Sequence, residues 1–112
     1  MINLSHIESF TATLPGAQIS TSYGTPAVKV GKTLLMRMHQ KEDAIVMSVG
    51  DADEQQTLIA ADPMTFYITD HYDGYPFVLV RPTIDPAAFE ALLLNAWRRV
   101  ASKSDQASYD EP

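Results

Sequence analysis

The stretch from Asp85 to Val100 constrains this chain most. Phe89, Leu92, Leu93, Ala96, Trp97 and Val100 recur at i, i+3, i+4, i+7, i+8 and i+11, which puts them on one stripe of an α-helix. Asp85 is placed as an N-cap and Pro86 occupies the first helical position, a pairing that starts helices. Arg98, Arg99 and Lys103 gather at the other end, where the helix dipole favours cations. About sixteen residues make a rod of roughly 24 Å. Each larger apolar side chain on the stripe gains ~1.5–3 kcal/mol from burial. Such a helix must lie across a broad apolar surface, and the rest of the chain has to supply it.

Short strands do so. Ala27 to Val30 and Thr33 to Met38 flank Gly31-Lys32, and glycine at the first of two turn residues suits a type II′ hairpin. Alternation over Leu34, Leu35, Met36 and Arg37 predicts Arg37 on one face with Leu35 and Thr33. His39 to Asp43 is a charged hairpin tip, and Ala44 to Val49 is apolar on both faces, as a central strand requires. Two further strands, over Phe66 to Thr69 and Phe77 to Val80, enclose the polar, aromatic loop Asp70 to Pro76. A weak helix is expected over Ile2 to Thr13, capped by Asn3 or Ser5 and ended by Pro15-Gly16. A second follows Asp51 and Asp53 and stops at Asp62-Pro63. Ala17 to Pro26 is polar and is read as a connector. The order is α-β(3)-α-β(2)-α. Short loops favour antiparallel neighbours, so the class is α+β, with one antiparallel sheet and helices mainly on one face. Residues 1–103 form the single domain, and Ser104 to Pro112, small and acidic, is expected to be a disordered tail.

Charge narrows the partners. The chain carries −6 overall. The first fifty residues hold four cations against three acids, and the remainder four cations against eleven acids. A duplex-binding surface has the opposite balance, because phosphate neutralisation supplies most of its affinity. There is no cysteine, hence no disulfide frame and no thiolate metal site. No apolar run nears the ~18 residues of a membrane span, and no signal-peptide pattern opens the chain. A cytoplasmic protein without membrane contact, a monomer or weak dimer, is the expectation.

Catalytic patterns are missing too. No Gly-x-Ser-x-Gly elbow occurs, and Gly31-Lys32 lacks the glycine-rich lead of a phosphate loop. Asp70, His71 and Asp73 cluster without a fourth ligand. The chain is therefore expected to be non-enzymatic, with no catalytic residue, metal or cofactor. What remains is a binding surface. Its candidate contacts are the cations Lys29, Lys32, Arg37 and Lys41, the rings of Tyr23, Tyr72 and Tyr75, and His71 and Arg81. The loop Asp70 to Pro76 exceeds the usual 2–5 residues of a hairpin connection and is expected to border the main concavity.

Tyr23-Gly24-Thr25-Pro26-Ala27 before Val30-Gly31-Lys32 resembles the first signature of the MmcQ/YjbR family. Leu58-Ile59-Ala60-Ala61-Asp62-Pro63 with Phe66-Tyr67 resembles its middle signature. His71 through Arg81, and Asp85-Pro86 through Ala96-Trp97-Arg98, resemble its last. The resemblance runs in order along nearly the whole chain. It implies the YjbR-like fold, α-β(3)-α-β(2)-α, and a nominal role in binding DNA, with no catalytic set to carry over. The fold is also similar to that of secretion chaperones, which bind proteins. A protein-interaction or small-ligand module is thus the alternative to a nucleic-acid binder, since fold does not fix function.

One substitution tests the organising helix. Leu93→Asp places a charge in the middle of the stripe, and loss of the cooperative thermal transition followed by circular dichroism is the expected result. A variant that melts like the parent would mean the stripe is not covered.

Overall fold

In the computed structural model, which describes residues 1–111, the stripe of the long helix does lie across a sheet. The elements are α1 (Leu4–Thr11), β1 (Ala17–Ser22), β2 (Thr25–Val30), β3 (Thr33–Met38), β4 (Ile45–Ser48), α2 (Ala52–Ala61), β5 (Phe66–Tyr67), a single 3-10 turn over Asp70–Tyr72, β6 (Phe77–Val80), α3 (Pro86–Val100) and α4 (Lys103–Asp110). The six strands run β1-β2-β3-β4-β6-β5, every neighbouring pair antiparallel. The class is α+β with one antiparallel sheet, as expected. The caps also follow the sequence: Asn3 accepts from the His6 amide, Asp51 from Glu54 and Asp85 from Ala88.

Two elements depart from expectation. Ala17 to Ser22 is a strand, not a connector. It is an edge strand whose Gln18, Ile19 and Thr21 are exposed, so burial imposes little apolar pattern on it. Its turn to β2 is Tyr23-Gly24, both with positive φ (53° and 76°), the two-residue geometry usually marked by Asn-Gly. Pro26 also argues against a strand. Pairing of β2 with β3 begins only at Ala27, so the missing N–H of Pro26 falls outside that ladder.

The second departure is the C-terminus. Residues 103–110 are helical rather than a disordered tail; Pro112 lies outside the described residues. Ser102 caps α4 by accepting from the Asp105 amide at 3.0 Å. Gln106 Nε2 donates to the carbonyls of Arg98 (3.1 Å) and Ala101 (3.0 Å). Tyr109 packs on Trp97 with ring centroids 5.2 Å apart, and Arg98 grips Asp110 through two nitrogens at 2.7 and 3.3 Å. Low hydrophobicity hides these contacts from composition, since one aromatic ring, one ion pair and one glutamine amide make them.

A β-bulge decides which side chains share a face. Lys29 pairs with Leu34 and Val28 with Met36, leaving Leu35 without a partner. An extra residue shifts the alternation by one. Leu35 and Met36 therefore both join the core under the helices, and Arg37 falls on the opposite face with Leu34, not with Leu35 and Thr33 as simple alternation predicted.

The main core lies between the sheet and the helices. Ile7 of α1 and Phe89, Leu93, Ala96 and Trp97 of α3 meet Val28, Met36, Ile45, Met47, Val78 and Val80. Trp97 is fully buried and its indole N–H donates to the Pro15 carbonyl at 2.8 Å. That bond ties α3 to the α1–β1 turn, where Gly16 supplies a φ of 79°. The other sheet face carries, among the described residues, a small cluster of Ala44, Val46, Tyr72 and Leu79. Among the described residues, no helix is long and apolar enough to cross a membrane.

The Arg98–Asp110 pair gives a pH prediction. The Arg98 hydrogen bonds hold the Asp110 carboxyl below its ordinary 3.8. A depressed folded-state value means the pair stabilises the fold above 3.8 and loses that contribution as pH falls through the lower folded-state value. The stability difference between the parent and Asp110→Ala in urea should therefore be present at neutral pH and close in strong acid. A difference that is unchanged between neutral pH and strong acid would remove the pair from any role in docking α4.

Candidate functional site

The sparsely covered sheet face carries a cavity of about 370 Å³. The strands supply its floor. Leu34 and Arg37 come from β3, Val46 from β4 and Phe77 from β6, all turned away from the helices by the register already described. Tyr23, His71, Tyr72 and Tyr75 complete the lining. The loop between β5 and β6 thus borders this hollow. A second hollow, also about 370 Å³, shares Tyr23, Arg37, His71 and Tyr72 and adds His39, Gln40, Lys41 and Thr69. The two are halves of one cleft.

A buried amide holds the loop in place. Gln55 on α2 is fully buried. Its Nε2 donates to the carbonyls of Tyr72 (2.7 Å), Tyr75 (2.9 Å) and Phe77 (2.8 Å), while its Oε1 accepts from Gln56 Nε2 at 2.9 Å. An amide nitrogen has two hydrogens, so one is shared between two carbonyls. Within the loop, the Tyr75 amide donates to the Tyr72 carbonyl at 3.0 Å, and Gly74 takes a φ of 81°.

The two loop tyrosines differ in kind. Tyr72 is buried, 7% exposed, and its ring packs edge-on against His71 at 4.8 Å. Its hydroxyl accepts from Arg37 Nη2 at 2.5 Å. Tyr75 is 61% exposed and stands at the rim. Tyr23, 76% exposed, forms the other rim, with the Arg37 guanidinium carbon 5.1 Å from its ring centroid, within cation–π range. The side chain of Gln40 donates to the Tyr23 carbonyl and braces that turn. The hairpin tip beside it is shaped by His39, whose Nδ1 accepts from the amides of Lys41 (3.0 Å) and Glu42 (2.9 Å).

Arg37 is the chemical centre of the cleft. It is 9% exposed and lines both halves. Beyond Tyr72 its protein partner is the Met38 carbonyl, at a long 3.4 Å. Ion pairs among the described residues are His6–Glu90 and Arg98–Asp110, so no carboxylate oxygen there comes within 4 Å of Arg37. Buried charges are normally paired, and a guanidinium carries five donors.

The structure brings Tyr23, Arg37, Lys41, His71, Tyr72 and Tyr75 together around this cleft. Lys29 shares the open face, since its register partner Leu34 lines the cavity, but is not itself in the lining. Lys32 sits exposed in the β2–β3 turn, apart from the cleft. Arg81 is also outside it, with its guanidinium carbon 4.1 Å from the Tyr67 ring centroid. Burial, then the Glu42 carboxylate that accepts from it, raises the Tyr67 phenol above its ordinary 10.0. Sequence reading missed Gln55. A signal for it exists: Leu58 and Ile59, packed on the main core, lie three and four residues on, so Gln55 occupies a core position on the α2 stripe.

No family model matches the chain. Over 62 residues it is 39% identical to the uncharacterized protein Rv2570 of Mycobacterium tuberculosis and to the uncharacterized protein Mb2600 of Mycobacterium bovis. Each match takes in 54% of this chain and 48% of the relative, so the chain spans about half the length of the curated relatives it matches. Among solved structures, the Deinococcus radiodurans protein DR2400, a DUF419 domain, superposes with a TM-score of 0.76. It covers 100% of this chain and 91% of its own at 17% identity, a likeness of fold. DUF419 is the YjbR/MmcQ-type family, so the neighbour in fold is of the type the sequence resembles.

The amide brace and the two tyrosines separate in a stability measurement. Gln55→Leu removes the shared donor and should cost ~1–3 kcal/mol, with faster hydrogen exchange at the Tyr75 and Phe77 amides. Tyr72→Phe breaks a charge-assisted bond and should cost ~1.5–3 kcal/mol, whereas Tyr75→Phe should stay within ~0.5 kcal/mol of the parent. Equal effects from the two tyrosines would contradict the division between a structural ring and a rim ring.

Proposed function

We propose that this chain is a non-catalytic binding domain of the YjbR/MmcQ type, cytoplasmic, whose cleft takes an anionic ligand on Arg37. One observation carries the reading. Arg37, a residue 9% exposed on a cavity floor, has no carboxylate within 4 Å of its guanidinium among the described residues. A charge so placed is stabilised by whatever anion fills the cavity, and Arg suits carboxylate and phosphate oxygens through paired N–H donors. The exposed rings of Tyr23 and Tyr75 offer faces for a flat group.

Nucleic acid is the second reading, favoured by Lys29 on the same sheet face and by the two rim rings. Single strands fit better than duplex, because stacking platforms tolerate any base. The chain's charge of −6 and the remoteness of Lys32 work against a long phosphate track. A protein partner presenting a carboxylate would use the same guanidinium.

Thermal shift with phosphate, sulfate, benzoate and a short single-stranded oligonucleotide tests this. A binder at roughly 100 times its Kd should stabilise the parent by about 2.7 kcal/mol, and the effect should weaken as sodium chloride rises. Arg37→Met, which keeps the apolar stem, should fold and lose the response. If no anion at tens of millimolar shifts the parent, or if Arg37→Met responds like it, the reading is wrong.

A further inference from the structure

Resting on that reading of Arg37, we infer that the ligand is a single small molecule built as a flat ring joined to one acidic head, of the size and kind of an aryl phosphate or a nucleoside monophosphate. The two halves of the cleft differ in chemistry in a way that a simple anion would not use. One half adds Leu34, Val46, Tyr75 and Phe77 to the shared residues. The other adds His39, Gln40, Lys41 and Thr69. Arg37 stands at the junction. A ring alone would fill the apolar half and leave the guanidinium without its counter-charge. A bare anion would satisfy Arg37 and Lys41 and leave the apolar floor wet. A ring between Tyr23 and Tyr75, with its head on Arg37, Lys41 and the Thr69 hydroxyl, occupies both. Each half, at about 370 Å³, falls within the range of small-molecule sites.

Charge favours a ligand with one head group. Glu42 and Asp43 on the hairpin tip beside Lys41, and Asp70 and Asp73 on the loop beside His71 and Tyr72, are all exposed. Additional phosphates would add negative charge beside a chain that already carries −6, and like charges repel. The cleft therefore selects a free monomer over a strand.

Calorimetric titration of the full chain at low salt tests the inference with adenosine 5′-monophosphate, phenyl phosphate, adenosine, ribose 5-phosphate, inorganic phosphate and a diadenosine dinucleotide. Amide chemical shifts near Arg37 and Tyr72 report occupancy. The two ring-bearing monophosphates should each bind at least roughly tenfold tighter than phosphate, and adenosine 5′-monophosphate tighter by the same margin than adenosine or ribose 5-phosphate. Lys41→Ala, at an exposed tip, should weaken adenosine 5′-monophosphate and ribose 5-phosphate and leave adenosine unchanged. Tyr75→Ala, at the exposed rim, should weaken the ring-bearing probes and leave ribose 5-phosphate unchanged. If phosphate or ribose 5-phosphate binds as well as the ring-bearing probes, the joined-ligand inference falls while the anion reading of Arg37 stands. If the dinucleotide binds more than roughly tenfold tighter than the monophosphate, a strand is the ligand and the inference is overturned. If no phosphate-bearing probe perturbs Arg37 and Tyr72, the anion reading itself fails.

Discussion

A single side-chain amide stands between this sheet and a collapsed loop. The connection from β5 to β6 has to carry seven residues, Asp70 to Pro76, over the end of two paired strands. Its carbonyls at Tyr72 and Tyr75, with that of Phe77 at the start of β6, all converge on Gln55 Nε2 at 2.7 to 2.9 Å. The loop's own amides reach two of them, Tyr75 N–H to the Tyr72 carbonyl and Phe77 N–H to the Tyr75 carbonyl, and a carbonyl has room for a second donor. Gln55 adds that further donor from α2, the helix that precedes β5, and ties the three carbonyls to one point. The loop is thereby set against the sheet at Tyr72 and lifted away from it at Tyr75. Every cleft wall on the loop side follows from that placement.

The cleft exists because the sheet is covered on one face only. α1 and α3 take the face of Val28, Met36, Ile45 and Met47, and the opposite face keeps a small apolar cluster roofed by Tyr72. Arg37 reaches that face through the bulge at Leu35. Without the extra residue, alternation would turn Arg37 toward the apolar core under the helices, where burial of an unpaired charge is costly. With it, the guanidinium emerges among tyrosines, its attraction to the Tyr23 ring and its bond to Tyr72 partly replacing lost hydration. One inserted residue in β3 thus separates a core position from a site position.

The elements that were legible are those whose physics is local. α3 shows its stripe, cap and proline; β4 shows apolar residues on both faces because it is central; the loop shows its length and its rings. The elements that were not legible depend on partners distant in the chain. β1 is polar because it is an edge with one face open, and its Tyr23-Gly24 turn lacks the usual asparagine. α4 has a polar sequence and is held by Trp97 and Arg98, side chains of another helix. The facing of Arg37 was misread because a bulge leaves no mark in a run such as Leu34-Leu35-Met36. For the site, the sequence shows which residue types are present, whereas the grouping of Tyr23 with His71 and Tyr75 arises only when β1 to β3 fold beside β6. Lys29, Lys32 and Arg81 were indistinguishable from Arg37 and Lys41 as formal charges. Register separates them.

Tyr23 shows most directly how local preference gives way at this cleft. A tyrosine at φ 53° is in the left-handed region, which costs a residue with a Cβ roughly 1–2 kcal/mol, and glycine or asparagine would satisfy the same turn with less strain. Nothing in the hairpin itself needs an aromatic ring, because Tyr23 is 76% exposed and contributes little to any core. Its surroundings nonetheless hold it there: Gln40 donates to its carbonyl from the next hairpin, and Arg37 sits beneath its ring. Strain at an exposed aromatic, maintained by contacts from Gln40 and Arg37, is the kind of outlier from which a site hypothesis starts. The β1–β2 turn is therefore better understood as the outer wall of the cleft than as a connector, and the edge strand before it as the support that holds this wall opposite Tyr75.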